Sequence, residues 1–141
     1  MARILSIDYG KKRTGLAVTD PLQLIAGGLA TVSTYTLFDY LKNYLQHEEV
    51  ERIVIGKPMQ TKGKPSENLV RVQQFVNRWQ KNMPQIPIEY YDERFTSVLA
   101  HRAILESGIG KKARQDKALV DEVSAVILLQ NYMESRRISK K

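Results

Sequence analysis

The chain contains no cysteine, so neither a disulfide framework nor a thiolate metal site is open to it. Histidine is scarce. His47 and His101 are the only two, and neither has another ligand at metal-site spacing. Long apolar runs are missing too, and none approaches the roughly 18–20 residues that a membrane span needs. The first apolar stretch is broken by Asp8 and by Lys11, Lys12 and Arg13, a pattern foreign to signal peptides. These absences predict a protein with no membrane association and a cytoplasmic location. Acids are the minority charge: 15 Asp and Glu stand against 22 Lys and Arg, for a net charge of +7. Excess positive charge concentrates polyanions, which makes nucleic acid the first partner to consider. An inert basic surface is the plainer reading.

What is present fits one soluble globular domain: 141 residues, 43% apolar and 26% charged. We take residues 1–135 as that domain and the basic residues 136–141 as a solvated C-terminal tail. Residues 3–8 read as a strand and 15–20 as a second, joined by a turn rich in Gly and Lys. A third short strand lies near Gly28–Val32. Leu37, Leu41, Tyr44 and Leu45 follow helical spacing. "RIVIGKP" returns to strand and stops at Gly56 and Pro58. Ser66 is a plausible N-cap for a helix with Leu69, Val72, Val76 and Trp79 on its inner face. "IPIEYYDE" is the last strand. Thr96 could cap a further helix, and a final helix begins near Asp116. The order β-β-β-α-β-α-β-α-α predicts an α/β fold: a five-stranded mixed sheet, its first three strands antiparallel, with helices on both faces.

Three acids occupy positions where burial is expected. Asp8 ends the first strand, and Glu93, with Asp92 beside it, ends the last. Asp121 shares a helix face with Ala118, Ser124, Ala125 and Leu128, which turns it toward the sheet, while Glu122 reads as solvated. Ligand sites of open α/β sheets gather beyond the carboxyl ends of the strands. Three converging carboxylates would repel unless a cation lies between them. Mg²⁺ or Mn²⁺ suits such oxygen ligands, and a pair of these ions can drive phosphodiester hydrolysis. On spacing alone, Asp8 accepting hydrogen bonds from the turn amides is an equal reading. Glu93 and Arg94 could form an ordinary surface ion pair, and Asp121 could be an acid near a helix N-terminus. Alternation along a strand allows only one of Asp92 and Glu93 to face the site. Trp79 and the tyrosines read as core rather than base-stacking platforms, with Tyr9 the least settled of them.

The segments "IDYGKKRTGLAVTD", "GKP", "DERFTS" and "VDEVSAVILLQNYM", in this order over nearly the whole chain, resemble the YqgF family, also called RuvX. These are RuvC-like proteins of the ribonuclease H-like superfamily. The resemblance implies a ribonuclease H-like fold and a nuclease that processes pre-16S rRNA, a role once read as Holliday junction resolution. It implies Asp8, Glu93 and Asp121 as catalytic, metal-holding acids, with Asp92 as the alternate to Glu93. Gly10, Arg13 and Gly15 match the motif after the first acid. Gly56 and Pro58 match a "G-x-P" turn, Arg94, Thr96 and Ser97 complete "DERxTS", and Lys117 matches a lysine before the helix acid. Lys57 stands where relatives often carry an apolar residue, and residues 59–66 depart from the expected Asp-Gly turn.

As a nuclease the chain would use Lys11, Lys12, Arg13, Lys57, Arg94 and Lys117 on phosphates. RNA rather than DNA comes from the resemblance alone. Three rivals stay open: a non-catalytic RNA-binding assembly factor, a junction resolvase and an actin-like ATPase. A resolvase needs two sites on a two-fold axis, and the sequence leaves monomer or homodimer undecided. The ATPase is disfavoured because one domain cannot close over a nucleotide.

Overall fold

In β1 (Arg3–Asp8), Ile4, Leu5, Ser6 and Ile7 are all buried, because both faces of this strand are covered. The computed structural model describes residues 2–57, 67–92 and 117–139. Two antiparallel strands follow, β2 (Arg13–Thr19) and β3 (Ala26–Ser33), then a 3₁₀ turn at Thr34–Thr36 and helix α1 (Leu37–His47). β4 (Val50–Lys57), α2 (Glu67–Asn82), β5 (Ile88–Asp92) and α3 (Lys117–Ser139) complete the described elements. The sheet order is β3-β2-β1-β4-β5. β1 lies antiparallel to β2 and parallel to β4, and β4 is parallel to β5. The expected five-stranded mixed sheet with helices on both faces is therefore observed.

Alternation along the strands sorts residues into two cores. Leu5, Ile7, Leu16, Ile53 and Ile55 pack against α1 and α2 through Leu41, Phe38, Val72, Phe75 and Trp79. Trp79 is fully buried, and its indole N–H donates to the Ile86 carbonyl at 3.1 Å. On the opposite face Ile4, Ala17 and Val54 meet Ala125, Leu129, Tyr132 and Met133 of α3. Close approach there needs small residues. A methyl group on Gly15 would lie 2.0 Å from the Asp121 carbonyl oxygen, so only glycine lets α3 seat at that point. A methyl on Gly28 would meet the Glu122 side chain. Glu122 is thus half-buried over β3 rather than solvated as expected.

The strands run longer than sequence patterning suggests. β2 begins at Arg13, and β3 spans Ala26–Ser33. Asp20 explains the early start of β3. Its carboxylate accepts the amide N–H groups of Leu24 and Ile25, both at 2.8 Å, and that of Leu22 at 3.2 Å. The chain is so turned back within five residues, with Gln23 at a positive φ of 59°. α3 continues to Ser139 and takes up most of the stretch read as a tail. Cations near a helix C-terminus complement its dipole, and the Arg136 guanidinium lies 5.8 Å from the Tyr132 ring centroid. The expected Ser66 cap, Pro58, the segment 59–66 and the helix after Thr96 lie outside the described residues.

Candidate functional site

The face that β1 turns toward α3 is set by Ile4, which packs on that helix, and by Ser6, whose hydroxyl donates to the Ala125 carbonyl at 2.7 Å. Asp8 is two residues on and has the same parity, so it belongs to this face. Its ladder partner is Gly15, the glycine against which the α3 backbone rests at Asp121. Residues directly opposite in an antiparallel pair share a face. Asp8 and Asp121, more than a hundred positions apart, thus lie on one side of the sheet at the carboxyl end of β1. Both are half-buried. Among the described residues no three ligating side chains form a cluster.

Asp121 is oriented by a cation. Its Oδ2 accepts from the Arg13 Nε at 3.2 Å, with 41% of the Arg13 side chain and 27% of the Asp121 side chain exposed. Water reaches this pair, which makes it a positioning contact more than a source of stability.

The turn between Asp8 and Arg13 is rigid at its backbone and open at its tip. A methyl on Gly10 would lie 2.2 Å from the Arg13 carbonyl oxygen. The Thr34 hydroxyl donates to the Gly10 carbonyl at 2.7 Å. Its single proton is thereby used, so the buried Thr14 hydroxyl donates to Thr34 Oγ1, also at 2.7 Å. The Thr34 amide donates to the Lys12 carbonyl at 3.0 Å, and the Asn68 side-chain amide to the Tyr9 carbonyl at 3.0 Å. Lys11 and Lys12 are exposed on this pinned turn. Neither Thr34 nor Asn68 stands out in the sequence, because each acts across an element boundary and matches no local motif.

Other expected site residues are placed differently. Gly56 is buried beside the end of β1, paired with Tyr91. Lys57 has the parity of Ile53 and Ile55, which face α1 and α2. Its Nζ lies 6.0 Å from the Tyr90 ring centroid, so the structure does not bring it to the acids. Lys117 opens α3 four residues ahead of Asp121, and Asp92 closes β5 opposite Lys57. Glu93, Arg94, Thr96 and Pro58 lie outside the described residues.

Two carboxylates, no sulfur and no imidazole make a hard oxygen donor set, the kind that holds Mg²⁺ or Mn²⁺. The cations of the neighbouring turn can hold an anionic ligand beside it.

Comparison with known proteins gives the same direction. A family model described as "RuvX: Holliday junction resolvase" matches residues 2–135. A Bacteroides fragilis protein named "Putative pre-16S rRNA nuclease" is 56% identical over 138 residues, covering 98% of this chain and 100% of its own. A protein of the same name from Phocaeicola vulgatus is 58% identical over 137 residues, covering 97% and 99%. Among solved structures, T. thermophilus RuvC in complex with Holliday junction substrate superimposes with a TM-score of 0.61 at 15% identity, over 99% of this chain and 98% of that one. The last likeness is one of fold. With a model match over almost its full length and relatives above half identity, the chain belongs to the RuvX family.

Proposed function

We propose that this chain is a divalent-metal-dependent nuclease that processes the 5′ end of pre-16S rRNA. The observation that carries the reading is that Gly15, the ladder partner of Asp8 at the carboxyl end of the central strand, abuts the α3 backbone at Asp121, beside a turn that presents Lys11 and Lys12. The names of the relatives supply the substrate. We carry the third carboxylate over from the family motif as Glu93, with Asp92 as the alternate, next in sequence to a strand whose positions 89 and 91 face α3. Glu89 bonds the α3 residue Tyr132, and Tyr91 packs with the α3 core.

Asp8 and Asp121, with Glu93, would hold Mg²⁺ or Mn²⁺. When bound, such ions activate water and neutralise charge on a phosphodiester oxygen. The chain's own residues do the rest. Asp8 is fixed by the central strand and Asp121 by a helix seated on Gly15, so the two carboxylates keep their spacing without reorganisation. Arg13 holds the Asp121 carboxylate through Oδ2 and so fixes its orientation. Lys11, Lys12 and Arg13 neutralise phosphates on either side of the reacting bond, with Arg94 and Lys117 proposed to extend this contact. Among the described residues no helix is long and apolar enough to cross a membrane, and a role on ribosomal RNA precursors puts the protein in the cytoplasm.

A transcript carrying the 16S 5′ leader, incubated with Mg²⁺ or Mn²⁺, tests this. Cleavage by the unmutated protein should fall at least about a hundredfold in Asp8→Asn and Asp121→Asn. Equal cleavage by the variants would refute the site. Faster cutting of a four-way DNA junction than of the transcript would favour the resolvase activity that the family description carries.

A further inference from the structure

Tyr9 follows Asp8 and therefore faces the other side of the sheet. Its ring lies 5.5 Å from that of Phe75, at the mouth of a cavity of about 200 Å³. Tyr35, Phe38, Arg71 and Arg78 also line this cavity. Tyr35 sits in the 3₁₀ turn and is 95% exposed, an unusual position for so large a ring. The Arg78 guanidinium stacks on Phe38, 4.1 Å from the ring centroid, and among the described residues no carboxylate pairs with it. Arg71 contacts Glu67 at 3.5 Å, but that carboxylate is 89% exposed and the contact is worth little. Both guanidinium charges reach the Tyr9 phenol, where they oppose the upward pull of burial on its pKa.

We propose that this aromatic and arginine cavity is a subsite for single-stranded nucleic acid, which carries the strand leaving the acid pair around the end of β1. The proposal rests on the chain acting on nucleic acid. Every base has a face that stacks on an aromatic ring, and guanidinium groups bind phosphate. The volume is below the roughly 300 Å³ at which small-molecule sites begin, which suits one base of a passing strand rather than a free nucleotide. Position supports the same occupant. Asp8 and Tyr9 are consecutive, and the exposed Lys11–Lys12 tip follows them directly. A strand held by those lysines meets acids on one side and rings on the other.

Binding of a fluorescein-labelled oligoadenylate, measured by anisotropy with excess EDTA and no divalent metal, tests this. Tyr35→Ala should weaken binding about fivefold or more, the loss of one stacked base, while Tyr35→Phe keeps the affinity. Arg71→Gln should weaken binding and reduce the salt slope by about 0.7. Arg136→Gln removes one charge from the α3 side and should leave binding unchanged. Tyr35 is too exposed for its loss to unfold the chain, and circular dichroism checks this. Unaltered binding by folded Tyr35→Ala would overturn the subsite, as would equal competition from polyglutamate of matched charge. Metal-dependent cleavage by the unmutated protein is measured separately. Cleavage with unaltered Tyr35→Ala binding removes the subsite alone, whereas Tyr35-dependent binding without cleavage removes the nuclease reading and keeps the subsite.

Discussion

Asp8 and Asp121 share one face of the sheet end, and in the proposed site their two negative charges would oppose each other. Removing a carboxylate relieves that repulsion when no cation is present. Asp8→Asn is therefore expected to melt at the same temperature as the unmutated protein, or higher, in EDTA. Added Mn²⁺ should raise the melting temperature of the unmutated protein and not of the variant, since ligand binding to the folded state is what stabilises it. Equal shifts in both would show that the ion sits elsewhere. Gly15 is the other decisive residue. A methyl there meets the Asp121 carbonyl carbon at 2.4 Å and the Glu122 nitrogen at 3.0 Å, all backbone atoms that cannot rotate away. Gly15→Ala must push α3 off the sheet, so we expect a loss of about 1–3 kcal/mol in urea unfolding and reduced cleavage.

Between elements, the turns carry the constraints. Thr34→Val removes hydroxyl bonds to Gly10 and Thr14 and should cost about 1–2 kcal/mol by chemical denaturation. The Asp20 turn gives a test by pH. Hydrogen bonds from the backbone, Ile25 first, hold the Asp20 carboxyl below its ordinary value of 3.8. A carboxyl with a lowered folded pKa contributes stability above that ordinary value and loses it as pH falls through the folded one. Thermal melts below pH 4 should therefore lose less stability in Asp20→Asn than in the unmutated protein. Both turns show where sequence reading stops. Apolar runs and helical spacing made β1, α1 and α2 legible, because those depend on neighbours in the chain. Thr34 reaching Gly10, Asn68 reaching Tyr9 and Lys57 turning away from the acids depend on which elements pack together. The end of α3 was hidden for another reason: its closing cations look like a solvated tail but equally suit a helix C-terminus.

At the scale of the whole molecule, the net charge and five tyrosine phenols make two further statements. Contact with a single strand through about four cations gives a log-log salt slope near −3, which titration between low and moderate salt would measure. Burial raises the pKa of Tyr9, Tyr40, Tyr44, Tyr90 and Tyr132 above the ordinary 10.0, and at Tyr132 the hydrogen bond that its hydroxyl donates to the Glu89 carboxylate adds to it. Groups raised in the folded state give stability that is intact below pH 10 and is lost as pH climbs past it. Melting temperature should accordingly fall on the alkaline side. The mixed sheet itself was legible because three hairpin-like strands precede two αβ units, and right-handed crossovers then leave few arrangements. The contact of β2 at Gly15 with α3 at Asp121 joins the two ends of that order, and it sets a schedule. Translation delivers residue 8 long before residue 121, and α3 is the last described element to leave the exit tunnel. With the site proposed above, a nascent chain would not cut RNA while its own synthesis is under way, and hydrolytic competence would arrive only with the closing helix.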